Sequence, residues 1–74
     1  MNKQVDVDIC VREGHRFGKA RWMVCDNGMI AAEGEAEYDP ESGSIDWLGG
    51  PPPMEYYVDV AFEIDRSIRR RNAR

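Results

Sequence analysis

The chain has 74 residues and a mass of 8.5 kDa, which predicts one domain spanning residues 1–74. Lys and Arg total 10 and Asp and Glu total 14, so the formal net charge is −4 and the pI is near 4.8. A hydrophobic fraction of 42%, with seven aromatic residues, excludes a disordered acidic tail. No apolar run approaches the roughly 18 residues of a membrane span, and residues 1–8 lack a signal-peptide pattern. We therefore expect a cytoplasmic domain that does not enter a membrane.

The chain holds two cysteines, Cys10 and Cys25, and one histidine, His15. A secreted domain of this size usually carries roughly two to four disulfides, so we predict two reduced thiols that act as small apolar residues. The alternatives are a single disulfide or a metal site that His15 completes. Zinc sites usually contain close Cys or His pairs, and the chain has none. We predict no metal and no other cofactor.

Three strands are predicted in the first half of the chain. Residues 4–12 alternate between apolar and polar side chains, as expected of a half-buried strand. A connection with two glycines covers residues 13–18, and strand-forming residues resume at 20–25. The Asp-Asn-Gly sequence at 26–28 is the strongest turn signal in the chain, and a third strand is predicted at 29–38.

The register of the second hairpin depends on where its carboxylates lie. A two-residue Asn-Gly turn would place Trp22 opposite Glu33 and bury carboxylates beside the tryptophan. A three-residue loop pairs Trp22 with Ala32 instead and sets Arg21 opposite Glu33 on the outer side. Opposite charges across a ladder stabilise by about 0.2–1 kcal/mol, and burying a carboxylate costs more than that. We therefore predict the three-residue loop. The inward residues of the third strand would be Ile30, Ala32, Gly34, Ala36 and Tyr38.

The middle of the chain predicts a turn, a short strand and a stop. Residues 39–44 contain a proline and a glycine at positions that suit a turn. Residues 45–48 have the pattern of a short fourth strand. Two glycines and three prolines at 49–53 end it, because proline cannot donate a hydrogen bond to a ladder.

The segment from Met54 to Ile68 fits both a strand and a helix. Apolar and polar residues alternate from Val58 to Asp65, as in a strand. At about 100° per residue they also separate into an apolar and a charged arc, and the helical pattern continues past Arg66, where the alternation breaks. The apolar arc of the helix would contain Met54, Tyr57, Val58, Val60, Ala61, Phe62, Ile64 and Ile68.

The rest of the predicted fold favours the helix. The inward face of the third strand has three small residues at its centre, and a helix lying across the sheet fits such a shallow floor. We predict an α+β fold, in which about four antiparallel strands form a small sheet and one C-terminal helix packs on one face. The alternative is a five-stranded, mainly β barrel in which only the arginine-rich end is helical.

No recognisable active site is predicted. Any Ser–His or Cys–His arrangement would have to use His15, which we interpret as an exposed loop residue. Paired-carboxylate catalysis needs one buried carboxyl group, and the alternation places nearly all carboxylates outside. Gly49 and Gly50 precede three prolines rather than a phosphate-binding helix. We therefore expect a protein that is not an enzyme.

The charges divide the chain into an acidic and a basic part. Residues 1–65 carry a net charge of −9, and residues 66–74 carry +5. The third strand projects acids from one face about 6.6–7 Å apart, which is of the same order as the phosphate spacing along a nucleic-acid strand. We interpret these acids as a surface for a basic, nucleic-acid-binding region of a partner protein. The predicted contact residues are Glu33, Glu35, Glu37, Asp39, Glu41, Asp6 and Asp8.

A solvated outer face is the other explanation of these acids, since Lys19 and Arg21 would partly neutralise them. An apolar strip beside the acids favours a contact surface instead, because exposed apolar strips often mark interaction sites. The strip comprises Met23, Cys25, Met29 and Ala31.

The arginine-rich end suggests two other uses. Arginine clusters bind phosphates through bidentate hydrogen bonds, so the alternative function is a nucleic-acid-binding accessory protein. Its contact residues would be Arg66, Arg69, Arg70, Arg71 and Arg74. The strongly negative remainder of the chain would oppose a polyanion, which makes nucleic acid the less favoured partner. The third use is a homodimer, with the basic end of one copy against the acidic face of another.

In size and charge, the chain resembles the small acidic single-domain proteins that phages and mobile elements encode. Such proteins commonly inhibit a host enzyme or defence complex by docking on it. The resemblance implies a non-catalytic inhibitor that binds a protein with a basic surface.

Overall fold

Four strands and one helix make up the part of the chain that the computed structural model describes, which is residues 3–10, 14 and 17–72, with side chains through residue 70. Each strand pairs antiparallel with the next, so the sheet is open and has two free edges. The predicted α+β fold is confirmed, and the barrel alternative is wrong. The elements are β1 (Lys3–Cys10), β2 (Gly18–Asp26), β3 (Met29–Tyr38), β4 (Ile45–Leu48) and α1 (Met54–Asn72).

The loop between β2 and β3 is shorter than predicted. Asp26 pairs with Met29, so the loop has two residues, Asn27 and Gly28. Both have positive φ, 55° for Asn27 and 80° for Gly28, as a type I′ turn requires. The twist of this turn matches the twist of the strands that it joins. The predicted three-residue loop is therefore wrong.

A β-bulge keeps the glutamates of β3 off the inner face despite the shorter loop. Cys25 pairs with Ile30, whereas Val24 pairs with Ala32, which leaves Ala31 as the extra residue. The extra residue shifts all later pairs by one and so restores the predicted faces. Ile30, which was predicted to face inward, lies opposite Cys25 and is 58% exposed.

Beyond the bulge, β2 and β3 have the predicted faces but different partners. Trp22 lies opposite Gly34, and Arg21 lies opposite Glu35. The predicted partners were each two residues earlier on β3 and are wrong. The face assignment survives because side chains alternate with a period of two, so a shift of two residues leaves each on the same side.

Helix α1 packs on the inner face of the sheet, over β1 and β2. Its buried residues are Val60, Ile64 and Ile68, whose spacing of four places them on one stripe of the helix. They form the core together with four residues of the sheet, Ala20, Trp22, Val24 and Tyr38.

The predicted apolar arc of the helix was too broad. Met54, Val58 and Phe62, which were expected in the core, are 92%, 74% and 61% exposed. Their stripe lies on the side of the helix away from the sheet, because position 58 is about 160° around the axis from position 60. Only a narrow row of α1 is therefore fully buried against the sheet.

Two groups of contacts hold the start of α1. Lys3 Nζ donates a hydrogen bond to Asp59 Oδ2 at 2.5 Å and lies 5.7 Å from the centre of the Tyr56 ring. On the β4 side, the Trp47 ring lies edge-on to Tyr57, with 5.5 Å between ring centres. The first turn of the helix is thus tied to both edge strands.

The two cysteines, Cys10 and Cys25, are free. Cys10 lies opposite Lys19 and Cys25 lies opposite Gln4, so six residues of strand, about 20 Å, separate the thiols. A disulfide needs Cα atoms within about 7 Å, which excludes a bridge between them within one chain. His15, the residue proposed for a metal or catalytic site, lies outside the described residues, as do residues 11–12 of the predicted first strand.

Candidate protein-binding face

The face of the sheet opposite α1, here called the outer face, carries six carboxylates and two cations in register. Neighbouring strands lie about 4.8 Å apart and alternate residues of one strand about 6.6–7 Å apart, so these charges form a two-dimensional array. The register sets three rows across the strands: Asp6, Met23 and Glu33; Asp8, Arg21, Glu35 and Leu48; and Cys10, Lys19, Glu37 and Asp46.

The two cations of the outer face both contact Glu35. Lys19 Nζ lies 3.8 Å from Glu35 Oε1, and Arg21 Nε lies 3.8 Å from Glu35 Oε2. These long ion pairs are largely exposed, so each contributes little to stability. Their effect is local, because they compensate the charge of Glu35 more than that of the other outer-face acids.

Three outer-face acids are exposed and form no ion pair with any residue that the structure describes. They are Asp8, Glu33 and Asp46, one on each of β1, β3 and β4. A fourth acid, Asp6, accepts a hydrogen bond from Gln4 Nε2 at 3.2 Å, which leaves its charge uncompensated. The outer face therefore presents negative charge on β1, β3 and β4, on both sides of the two cations of β2.

A shallow depression of about 460 Å³ lies in the outer face around Met23 and Arg21. Met23 is half-buried, and four acids line the depression beside it: Asp6, Asp8, Glu33 and Glu35. A long cationic side chain packs its methylene groups against an apolar floor while its charged end stays among carboxylates. The depression thus has the chemistry to hold a lysine or arginine of a partner.

Two of the predicted contact residues lie beyond the outer face, in the turn after β3. Asp39 is buried, and its Oδ1 accepts a hydrogen bond from the Glu41 N–H at 3.0 Å. Its backbone carbonyl accepts another from the Gly43 N–H at 2.7 Å. Asp39 therefore organises the turn rather than facing a partner. Glu41 is exposed in the same turn.

Asp46, which is not among the predicted contact residues, also belongs to the acidic surface. Asp46 lies opposite Glu37 and continues the third row onto the edge strand β4. The pattern of residues 45–48 predicts a strand but not its pairing with β3. Pairing it through the 39–44 turn would have placed Asp46 on the glutamate side.

Four of the five arginines proposed for nucleic-acid binding, at positions 66 and 69–71, lie in the second half of α1. Arg66 Nη1 is 3.7 Å from Glu63 Oε1, and Arg69 Nε is 3.0 Å from Asp65 Oδ2. These contacts, one helical turn apart, partly compensate both arginines. Arg70 is exposed. The side chain of Arg71 and the whole of Arg74 lie outside the described residues.

Among the described residues, no three His, Cys, Asp or Glu side chains come close enough to hold a metal ion. Over the same part of the chain, no helix is both long and apolar enough to cross a membrane. Comparisons of the chain with protein-family models, with curated proteins and with solved structures find no match.

Proposed function

We propose that the chain is a non-catalytic inhibitor that docks its outer face on a basic, nucleic-acid-binding surface of a partner protein. The observation that supports this most strongly is the array of six carboxylates against two cations on one rigid face. Helix α1 covers the opposite face and leaves this array accessible.

The rigidity of the array favours binding. Strand pairing already fixes the backbone spacing of the acids, so little backbone conformational entropy is lost when a partner docks. A field of one sign also steers a positively charged partner and speeds association. A protein groove built for phosphates holds its cations at comparable spacings, which gives the acids a complementary surface.

Apolar residues at the hairpin end of the outer face add a second kind of contact. Met23 and Cys25 are half-buried, and Ile30, opposite Cys25, is 58% exposed. Burying apolar side chains supplies affinity, whereas charge complementarity supplies specificity and a fast association rate. The combination fits a protein partner better than it fits a solvated face.

The deciding experiment compares two triple variants with the same net charge. The outer-face variant is Asp8→Asn, Glu33→Gln and Asp46→Asn, three exposed acids whose loss leaves the core unchanged. The matched control is Asp26→Asn, Glu63→Gln and Asp65→Asn, which removes three acids that lie on β2 and on the helix, away from the outer face. Each changes the formal net charge from −4 to −1.

Both variants and the parent chain are immobilised and exposed to an extract of the native host. We expect the parent and the control to capture a nucleic-acid-binding protein that added duplex DNA or RNA displaces at low salt. The outer-face variant should lose that protein. Equal capture by the two variants, or a captured protein that nucleic acid does not displace, contradicts the proposal.

A further inference from the structure

One stripe of apolar side chains on α1 is exposed. Met54, Val58 and Phe62 follow one another at four-residue intervals and are 92%, 74% and 61% exposed. Exposed apolar patches of this kind mark interaction surfaces in soluble proteins. Met54 and Val58 face away from the sheet, and Phe62 borders an open pocket beside Lys3 and Val5 of β1 but stays mostly exposed.

The charges beside the stripe indicate what occupies it. Glu55 and Arg66 are eleven residues apart, which places them within about 20° of each other on the same flank of the helix. When two antiparallel helices are related by a two-fold axis, equivalent flanks face each other. Glu55 of one copy then approaches Arg66 of the other, and the pair occurs twice. A parallel arrangement would bring opposite flanks together and would not pair Glu55 with Arg66.

We propose that α1 pairs with α1 of a second copy of this chain, antiparallel about a two-fold axis. Val58 of each copy lies opposite Phe62 of the other, and Glu55 lies beside Arg66. In this register, Glu55 of one helix lies at the level of Asp65 of the other, whose charge Arg69 compensates at 3.0 Å, and Arg66 follows one residue later. The apolar contact is thus flanked by opposite charges, and the two helix dipoles oppose each other.

This dimer is independent of the proposed docking function. The stripe lies on the helix side of the molecule, whereas the acids lie on the outer face of the sheet. Back-to-back pairing of the helices leaves one acidic face at each end of the dimer. If the chain forms no dimer, the proposed docking of the outer face is unaffected. If the outer face does not dock, the proposed dimer is likewise unaffected.

Sedimentation equilibrium of the full chain tests the dimer from about 10 µM to about 1 mM. The parent chain should reach twice the 8.5 kDa chain mass as its concentration rises. Phe62→Asp should raise the dissociation constant at least about tenfold. Ile30→Asp is the matched control, because it places the same charge on a residue of similar exposure, 58%, on the opposite side of the molecule.

A charge exchange tests the antiparallel register. Glu55→Arg alone should weaken the dimer, and Arg66→Glu alone should do the same. The double variant should restore it, since each pair is then reversed and still attractive. Circular dichroism of each variant establishes that α1 remains folded.

Three results would overturn the proposal. The first is a parent chain that stays monomeric across the whole range, which would assign the stripe to a different protein. The second is equal weakening of the dimer by Phe62→Asp and Ile30→Asp, which would mean that the added negative charge weakens it wherever that charge lies. The third is a double variant no tighter than its single variants, which would exclude this register.

Discussion

Gly34 shows how the absence of one side chain shapes the core. It lies opposite Trp22, and an ideal Cβ placed on it would lie 2.6 Å from Cζ2 and 2.8 Å from Cε2 of the indole ring. The ring therefore lies across the bare backbone of β3. The small residues that predicted a shallow floor for a helix also make room for this tryptophan.

We expect Gly34→Ala to lower the free energy of unfolding by about 1–3 kcal/mol, because the methyl group forces the indole out of its position. Urea denaturation monitored by Trp fluorescence measures the change. In a Trp22→Phe background the same substitution should cost less, since the ring that it meets is smaller. Equal costs in the two backgrounds would show that the contact with Trp22 is not the cause.

Lys3 and Tyr56 couple the start of α1 to the protonation state of the chain. The hydrogen bond to Asp59 raises the pKa of Lys3 above its usual 10.5. Desolvation, followed by the nearby Glu55 carboxylate, raises the pKa of Tyr56 above its usual 10.0. In both cases the folded chain holds the proton more tightly than the unfolded chain does.

Stability should therefore fall at alkaline pH. The contribution of Lys3 is complete below pH 10.5, the usual pKa, and disappears as the pH rises through the raised pKa of the folded chain. Asp59→Asn should be less stable than the parent at neutral pH, and the difference should shrink above pH 10.5. Thermal unfolding of both proteins across this range measures it. A difference that stays constant would exclude the ion pair as the source.

At the scale of the elements, α1 has two apolar stripes with different roles. Val60 is fully buried against the sheet, whereas Val58, two residues earlier, is 74% exposed on the opposite side. Val58 and Val60 therefore allow the same substitution to be compared at an exposed and at a buried position of one helix.

Val60→Ala should destabilise the chain by about 2 kcal/mol, because it leaves a cavity between helix and sheet. Val58→Ala should change stability by less than about 0.5 kcal/mol at concentrations where the chain is monomeric. Chemical denaturation of the two variants provides the comparison. Similar losses at both positions would mean that the outer stripe is also packed within the monomer.

The elements themselves were largely predictable, whereas their details were not. Strong alternation and turn residues located the strands, including the bounds of β3, Met29–Tyr38. The bulge at Ala31 was not predicted, because the residues before it and the residues after it each still alternate between the two faces. The predicted apolar arc of α1 was too broad, because hydrophobic periodicity does not indicate how narrow a row of the helix is buried against the sheet.

In the candidate site, too, periodicity predicts which face a side chain lies on but not how strands pair or how turns fold. The outward position of the β3 glutamates follows from alternation alone, and the structure has them on one face. The burial of Asp39 depends on the local geometry of a turn, and the position of Asp46 depends on a pairing between strands. Neither is a property of periodicity, so neither was predicted.

At the scale of the molecule, the opposed charges occupy opposite sides. The outer face concentrates acids, and the second half of α1, on the other side of the sheet, concentrates arginines. Any polyanion that approaches the arginines also meets the field of an acidic region whose formal charge is −9 over residues 1–65. The ion pairs of Arg66 and Arg69 with their helix neighbours reduce the attraction further.

We therefore expect the chain to leave duplex and single-stranded DNA and RNA probes unshifted in electrophoresis, even at about 50 mM salt, where phosphate contacts are strong. A chain lacking residues 69–74 serves as the comparison. A shift by the full chain that weakens steeply with salt and disappears in the truncated chain would favour nucleic-acid binding by the arginines. The Asp8→Asn, Glu33→Gln and Asp46→Asn variant then separates the two physical causes. If its binding exceeds that of the parent, repulsion by the outer face is what keeps nucleic acid away from the arginines, as the distribution of charge predicts.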